Sequence, residues 1–258
     1  MKMYLKFVVI HLKSEMQYKA SFFFLILGQF LTSFAAFLGM YFLMSRFGAV
    51  EGFTFSEVLL CFSVVLMAFS LSECFVRGFD RFSSIIGTGE FDRIMVRPRN
   101  LMLQVFASKI DFSRLGRLVQ AVLMLCYAMP ESGVVWTADK IFTLVLMIVC
   151  GFAVFSGLFV IYAALCFFTT EGLEFMNVFT DGGREFGNYP FSIYGEGVLR
   201  LLTFVVPLAL FQYWPLLYLL GRTDKPFYML CPLLSLLFLI PCYILWRIGL
   251  RHFKSTGS

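Results

Sequence analysis

The chain has 258 residues, of which 60% are hydrophobic and 14% charged, with a formal net charge of +5 at neutral pH. A soluble domain carries about 25% charged residues, so this composition excludes an ordinary soluble globular protein and points to an all-α integral membrane protein. The positive balance calls for no nucleic-acid partner, because anionic lipids attract basic residues at a membrane surface by about 1 kcal/mol each.

Residues 1–19 open the chain with helical periodicity. Lys2, Lys6 and Lys13 fall on one side, and Leu5, Val8, Leu12 and Met16 on another. This pattern predicts an amphipathic helix in the membrane interface; a plain extension of the first span is the alternative. A bilayer-spanning helix needs roughly 20 apolar residues. Spans are expected at about 20–45, 56–76, 107–129, 141–168, either 172–189 or 201–221, and 227–248, six in one domain. The first run does not read as a signal peptide: it is too long, and no small-x-small cleavage pattern follows.

The second span runs on into charge. Glu73, Arg77 and Arg81 follow at spacings of four, with the acid first, the favourable order on a helix. "GFDRF" at 78–82 is echoed by "EFDRI" at 90–94, with the helix breakers Gly87 and Gly89 between them. Two short helices with a glycine hinge are expected over 77–100. Pro98 favours an extended Arg97 and suits the first turn of the next helix. The apolar part of the third span, 118–129, covers only about 18 Å of a core about 30 Å thick. Its helix is therefore expected to start earlier, carrying Asp111, Arg114 and Arg117 near the inner boundary. There, with Glu73 and Arg77, they can pair, snorkel or face a partner.

Residues 171–197 are apolar in patches but hold Glu171, Glu174, Asp181, Arg184 and Glu185. Either they form an inner loop and 201–221 is the fifth span, or 172–189 is a polar fifth span. In the second layout 198–221 is an outer re-entrant segment broken at Pro207 and Pro215. With the N-terminus inside and the first layout, 17 of the 21 basic residues fall on inner segments, against four outside, Arg46, Lys140, Arg222 and Lys225; in the second layout Arg200 counts as outside and Arg184 sits within the span. That bias predicts two cytoplasmic termini.

The chain has no GxxxxGK[ST] motif, so no ATP site is expected on it. "DGGREFG" at 181–187 resembles the start of a membrane alcohol-phosphotransferase motif only faintly. The aspartates such a site needs for divalent metal do not follow before Asp224. The seven cysteines form no CxxC pair and read as small membrane hydrophobes. The two histidines, His11 and His252, lie near opposite ends. No catalytic, metal or cofactor residue is expected. The 34 phenylalanines read first as lipid-facing and packing side chains, and second as a lining for a greasy substrate.

"TGEFDRIMVRPRN" at 88–100 resembles the loop of ABC type-2 permeases, a glycine-acid-(Phe/Leu)-Asp-Arg stretch ending in Arg-Pro. "YPFSIYGEGVLRLLTFVVPLALFQYWPLLYLLG" at 189–221 resembles a segment of their bacterial subgroup of about this length: Tyr-Pro-x-Ser-Ile-Tyr, a Leu-Arg, a Val-Pro and a closing Pro-x-x-Tyr-Leu-Leu-Gly. Two departures stand out: Arg99, which the pattern does not require, and a fifth span more polar than usual. The resemblance implies a permease of the bacterial inner membrane that works as a dimer with an identical or paralogous permease. A dimer of separate ATPase subunits, which hold the ATP and magnesium, would drive it to export an amphiphile, drug, lipid or polysaccharide. It also implies a coupling helix docked in the ATPase at about 79–97, with Asp80, Arg81, Glu90, Asp92, Arg93 and Arg97 as pairing charges and Phe79, Phe82, Phe91 and Ile94 as apolar anchors. Tyr189, Pro190, Tyr194, Pro207 and Pro215 would belong to an outer or gating segment. An ATP-independent channel or scramblase, or a membrane assembly subunit, is the alternative.

Overall fold

The structure, a computed structural model, describes residues 2–169, 173–223 and 225–253. Helix α1 (Lys2–Glu15) passes through a 3-10 turn into α2 (Lys19–Phe47). The helical path from Tyr4 to Phe47 is 44 residues long, about 66 Å at 1.5 Å per residue. That is more than twice the apolar thickness of a bilayer, so α1 is an appendage to the span. Tyr18, with φ −114° and ψ 71°, marks the junction. The inward face of α1 is Tyr4, Val8 and Leu12, packed on Cys74, Ile110 and Phe112. Leu5 and Met16, expected on that face, point outward at 57% and 44% exposure.

Helix α3 (Phe55–Phe75) starts where the Thr54 N–H donates to Glu57 Oε2 at 2.8 Å, half of a capping box. It is the central helix: 83% of its apolar window is buried, against 6% for the α1–α2 path. After it come α4 (Arg77–Asp80), α5 (Phe82–Gly87), α6 (Glu90–Met95) and α7 (Leu101–Ser108). Three short helices thus stand where two were expected. Gly87 closes α5, and Gly89 precedes α6 at φ +71°, a left-handed conformation open to glycine without a Cβ clash.

The expected third span, 107–129, is cut in two. Helix α7 stops at Ser108, a 3-10 turn covers Phe112–Arg114, and α8 (Leu115–Glu131) follows. Asp111 is therefore not on the helix. It caps the turn, accepting from Ser113 N at 3.2 Å and Ser113 Oγ at 2.5 Å, while its own N–H donates to the Cys74 carbonyl. Local capping wins here because Asp favours exactly such a side-chain-to-backbone bond over a helix interior. Helix α8 packs along both α2 and α3. At Gly116 a Cβ would lie 2.1 Å from the Ile26 carbonyl oxygen, so only glycine allows the α2–α8 approach.

The rest is α9 (Ala138–Leu165), α10 (Asn177–Gly187), α11 (Glu196–Phe204), α12 (Leu208–Phe211), α13 (Tyr213–Leu219), α14 (Cys231–Ser235) and α15 (Leu239–His252). Neither layout for the fifth span survives as a straight helix. Helix α10 has 11 residues, about 17 Å, and Gly172, where the polar span was to begin, lies outside the described residues. Helix α11 and the α12–α13 segment meet at 86°. Pro207 sits at that bend, as expected. Pro215 breaks nothing: it is the third residue of α13, where its missing N–H would have no partner within the helix. The second break falls at Gln212 instead.

Among the described residues, four helices can cross a membrane by length and composition, or five if the bent pair counts as one span. The sixth expected crossing, α8, has 17 residues. All seven cysteines are free, and all but Cys126 are buried. Two apolar cores fill the bundle. One joins α4–α6 to α3, α9, α12 and α15; the other joins α2, α3, α8 and α13.

Candidate functional site: the loop after the second span

Helices α4–α6 carry most of the residues expected to meet a partner. Their aromatic rings face inward. Phe79, Phe82 and Phe91 are at most 1% exposed and Ile94 is 5% exposed. As partner anchors they are ruled out; they anchor the loop to its own chain. Phe82 sits with its ring centroid 5.1 Å from Phe91, 5.0 Å from Phe167 and 5.3 Å from Trp246, and Phe91 lies 5.0 Å from Phe253. Phe79 meets Trp246 edge-on at 5.5 Å. These distances suit aromatic pairs, each worth about 0.5–1.5 kcal/mol beyond area burial. The box fixes the loop to the end of α9 and to α15. The Tyr162 hydroxyl adds a bond to Ser83 Oγ at 3.3 Å, and Gln104 Nε2 donates to the carbonyls of Ile94 and Arg99.

The charges point the other way. Arg81, Glu90, Arg93 and Arg97 are exposed, and Asp80 and Asp92 half-buried. Val96, not singled out from sequence, is 83% exposed at the tip. The loop is thus an aromatic root under a charged rim.

Directly beneath it lies the boundary cluster. Glu73, 4% exposed, is shared by three guanidiniums: Arg77 at 2.8 Å, Arg117 at 2.7 Å and Arg114 at 3.4 Å. Arg77 also pairs with Asp80 at 3.2 Å, and Arg114 with Asp111 at 3.4 Å and Gln29 at 3.0 Å. All five residues expected at this boundary are therefore brought together, and one carboxylate ties α3 to α4, α8 and, through Arg114, α2. A buried charge is tolerable only when paired in this way.

Burial pushes the Asp111 carboxyl up, but the Ser113 hydroxyl, Arg114 and Arg77 outweigh it and hold the group below its ordinary value. Its stabilising contribution is complete above the unfolded value, near 4, and is lost as pH falls through the lower folded value. Asp111→Asn should therefore lower the melting temperature at pH 7, with the gap to the parent narrowing on acidification below the ordinary carboxylate range. A gap independent of pH would contradict this.

Of the expected gating residues, Tyr189 is held through its carbonyl by a side chain that sequence reasoning missed. Gln212, fully buried, donates from Nε2 to the carbonyls of Gly187 at 3.2 Å and Tyr189 at 3.1 Å, and to Cys61 Sγ. It clamps the end of α10 and the Tyr189–Pro190 turn onto α3. Tyr194 stacks edge-on with Phe186 at 4.9 Å. Pro190, Pro207 and Pro215 are buried. A lone glutamine in "ALFQYW" was the available signal: a buried amide must find partners.

A family model described as ABC-2 family transporter protein matches residues 30–257, from the first span through the end of α15. The chain belongs to the ABC-2 transporter family. No curated protein and no solved structure matches it. An ABC-2 transporter permease is a multi-pass membrane component that transports and is not itself an enzyme, and its family works in general with an ABC ATPase.

Proposed function

We propose that this ABC-2 permease is the membrane half of an exporter in a bacterial inner membrane, with both termini cytoplasmic and a separate ATPase dimer holding ATP and magnesium. It pairs with a second permease and moves an amphiphilic, lipid-like or drug-like substrate outward. The charged rim of α4–α6 docks in the ATPase, with Arg81, Glu90, Arg93 and Arg97 as the pairing charges. The observation that carries this reading is the two-sidedness of the loop: a charged rim on a root packed into α9 and α15. A rigid root is what a lever needs. A push on the rim moves α9 and α15 through the aromatic box, and α2, α3 and α8 through Glu73, instead of flexing the loop. The sequence bias of 17 of the 21 basic residues toward the inner segments of the six-span layout supports the orientation.

Replacing Arg81, Arg93 and Arg97 together by Glu tests the docking. Co-purified ATPase should fall about tenfold or more, since arginine anchors and complementary charge concentrate interface energy. The melting temperature should barely move, because surface substitutions are nearly neutral. Undiminished ATPase capture, or substrate flux in vesicles holding this chain alone without ATP, would overturn the proposal.

A further inference from the structure

A small polar cavity lies inside the apolar bundle, where α2, α3, α8 and α10 meet. It measures about 110 Å³, several times the roughly 30 Å³ share of one water and roomy enough for a tetrahedral oxyanion. Its polar wall is Thr32, Ser33, Arg117, Arg184, Glu185 and Asn188. Ser33 and Asn188 are 7% and 8% exposed. Asn188 donates its amide to Glu185 at 2.9 Å, and its Oδ1 and the Ser33 hydroxyl have no partner among the described residues. Buried polar atoms without partners are rare and costly, and here two face the same space.

The charges around that space are uneven. The side chains of Arg117 and Arg184 are 13% and 17% exposed. Arg117 has Glu73 as its carboxylate, but Glu73 is shared with Arg77 and Arg114. Arg184 pairs with Asp181 and Glu185, whose side chains are 57% and 55% exposed, so their charge is largely spent on solvent. Its guanidinium also lies 5.1 Å from the Phe69 ring centroid. Two partly buried guanidiniums with diluted counter-charge favour an oxyanion, which accepts charge-assisted hydrogen bonds from both. The Asn188 Oδ1 further calls for a donor on the ligand. The entrance is lateral: Thr32 and Ala36 are exposed on α2, the helix least covered by the rest of the chain.

We propose that this cavity binds the oxyanion headgroup of an amphiphile, a phosphate monoester or a similar acid carrying a hydroxyl, with its tail leaving past Thr32 and Ala36 into the lipid. This rests on the export reading for its role as substrate recognition, but the binding itself does not need the ATPase.

The test uses the purified full-length chain in a neutral maltoside detergent, with no ATPase and no ATP. Binding of dodecyl phosphate, inorganic phosphate and dodecyltrimethylammonium is followed by thermal shift and by native mass spectrometry. Dodecyl phosphate should raise the melting temperature saturably, and dodecyltrimethylammonium should not. Arg184→Gln should raise the dissociation constant about tenfold or more. Ser33→Leu should abolish binding by filling the cavity while leaving every charge in place, and Arg200→Gln, on an exposed side chain outside the cavity, should have no effect. Equal binding of the cationic amphiphile, no binding of dodecyl phosphate, or unchanged affinity in both cavity variants would overturn the proposal. Inorganic phosphate binding as tightly as dodecyl phosphate would overturn the amphiphile assignment. Since ATPase capture is measured separately, a failure here leaves the export reading standing, and the reverse also holds.

Discussion

Glu73→Ala is expected to destabilise the chain by about 3–5 kcal/mol, the loss seen when one partner of a buried ion pair is removed. Arg77 and Arg114 keep Asp80 and Asp111 as partners, but Arg117, whose side chain is 13% exposed, loses its 2.7 Å contact and has no second carboxylate within ion-pair distance among the described residues. Glu73→Gln keeps the volume and some hydrogen bonds, yet removes the charge that three guanidiniums share, and should fall between the parent and the Ala variant. The measurement is the melting temperature in detergent by size-exclusion retention. A double-mutant cycle of Glu73→Ala with Arg117→Ala isolates the pair: a coupling energy near zero would show that the cluster holds nothing together. The functional consequence belongs to the same experiment. Loss of Glu73 disconnects α4 from α8, so any ATPase still bound should hydrolyse ATP without transport.

Phe82→Ala should cost a comparable amount, about 3–5 kcal/mol, because Phe82 is fully buried and touches Phe91, Phe167 and Trp246 at once. The loss is local. Trp246, 2% exposed, should become accessible and its emission shift to the red, read in a background where Trp136 and Trp214 are replaced by Phe. Protease nicking should rise within 77–100. Phe82→Leu, which preserves much of the volume, should cost about 1.5 kcal/mol or less. An unshifted Trp246 spectrum in Phe82→Ala would show that the box does not hold the loop, and the lever argument would lose its base.

These two positions also show what could be read in advance. Glu73, Arg77, Arg114 and Arg117 were legible as boundary charges because hydropathy places them where apolar runs end. Their sharing of one carboxylate was not, since Arg117 meets Glu73 across 44 residues of chain. Phe79 and Phe82 were legible as the apolar side of a short helix. Helices of four and six residues show one apolar edge whether that edge meets a partner or the chain's own core. Phe167, Trp246 and Phe253 decided the matter, and nothing local to the loop announces them. The cut at 109–111 was missed because an apolar pattern cannot see that Asp111 has a turn to cap. The cavity beside Ser33 lay wholly beyond reach, because its walls come from four helices.

By itself the sequence determined that the chain is a helical membrane protein, where most of its apolar helices run, and which end is basic. Each of those depends on composition and periodicity along a continuous segment, which is the form in which a bilayer selects helices. The tertiary structure alone decided which way the loop's aromatic rings face, which guanidiniums share Glu73, and that the segment after α10 bends at Pro207 instead of crossing straight. Those depend on packing and pairing between segments far apart in the chain, where the energy of a contact is set by what arrives from elsewhere.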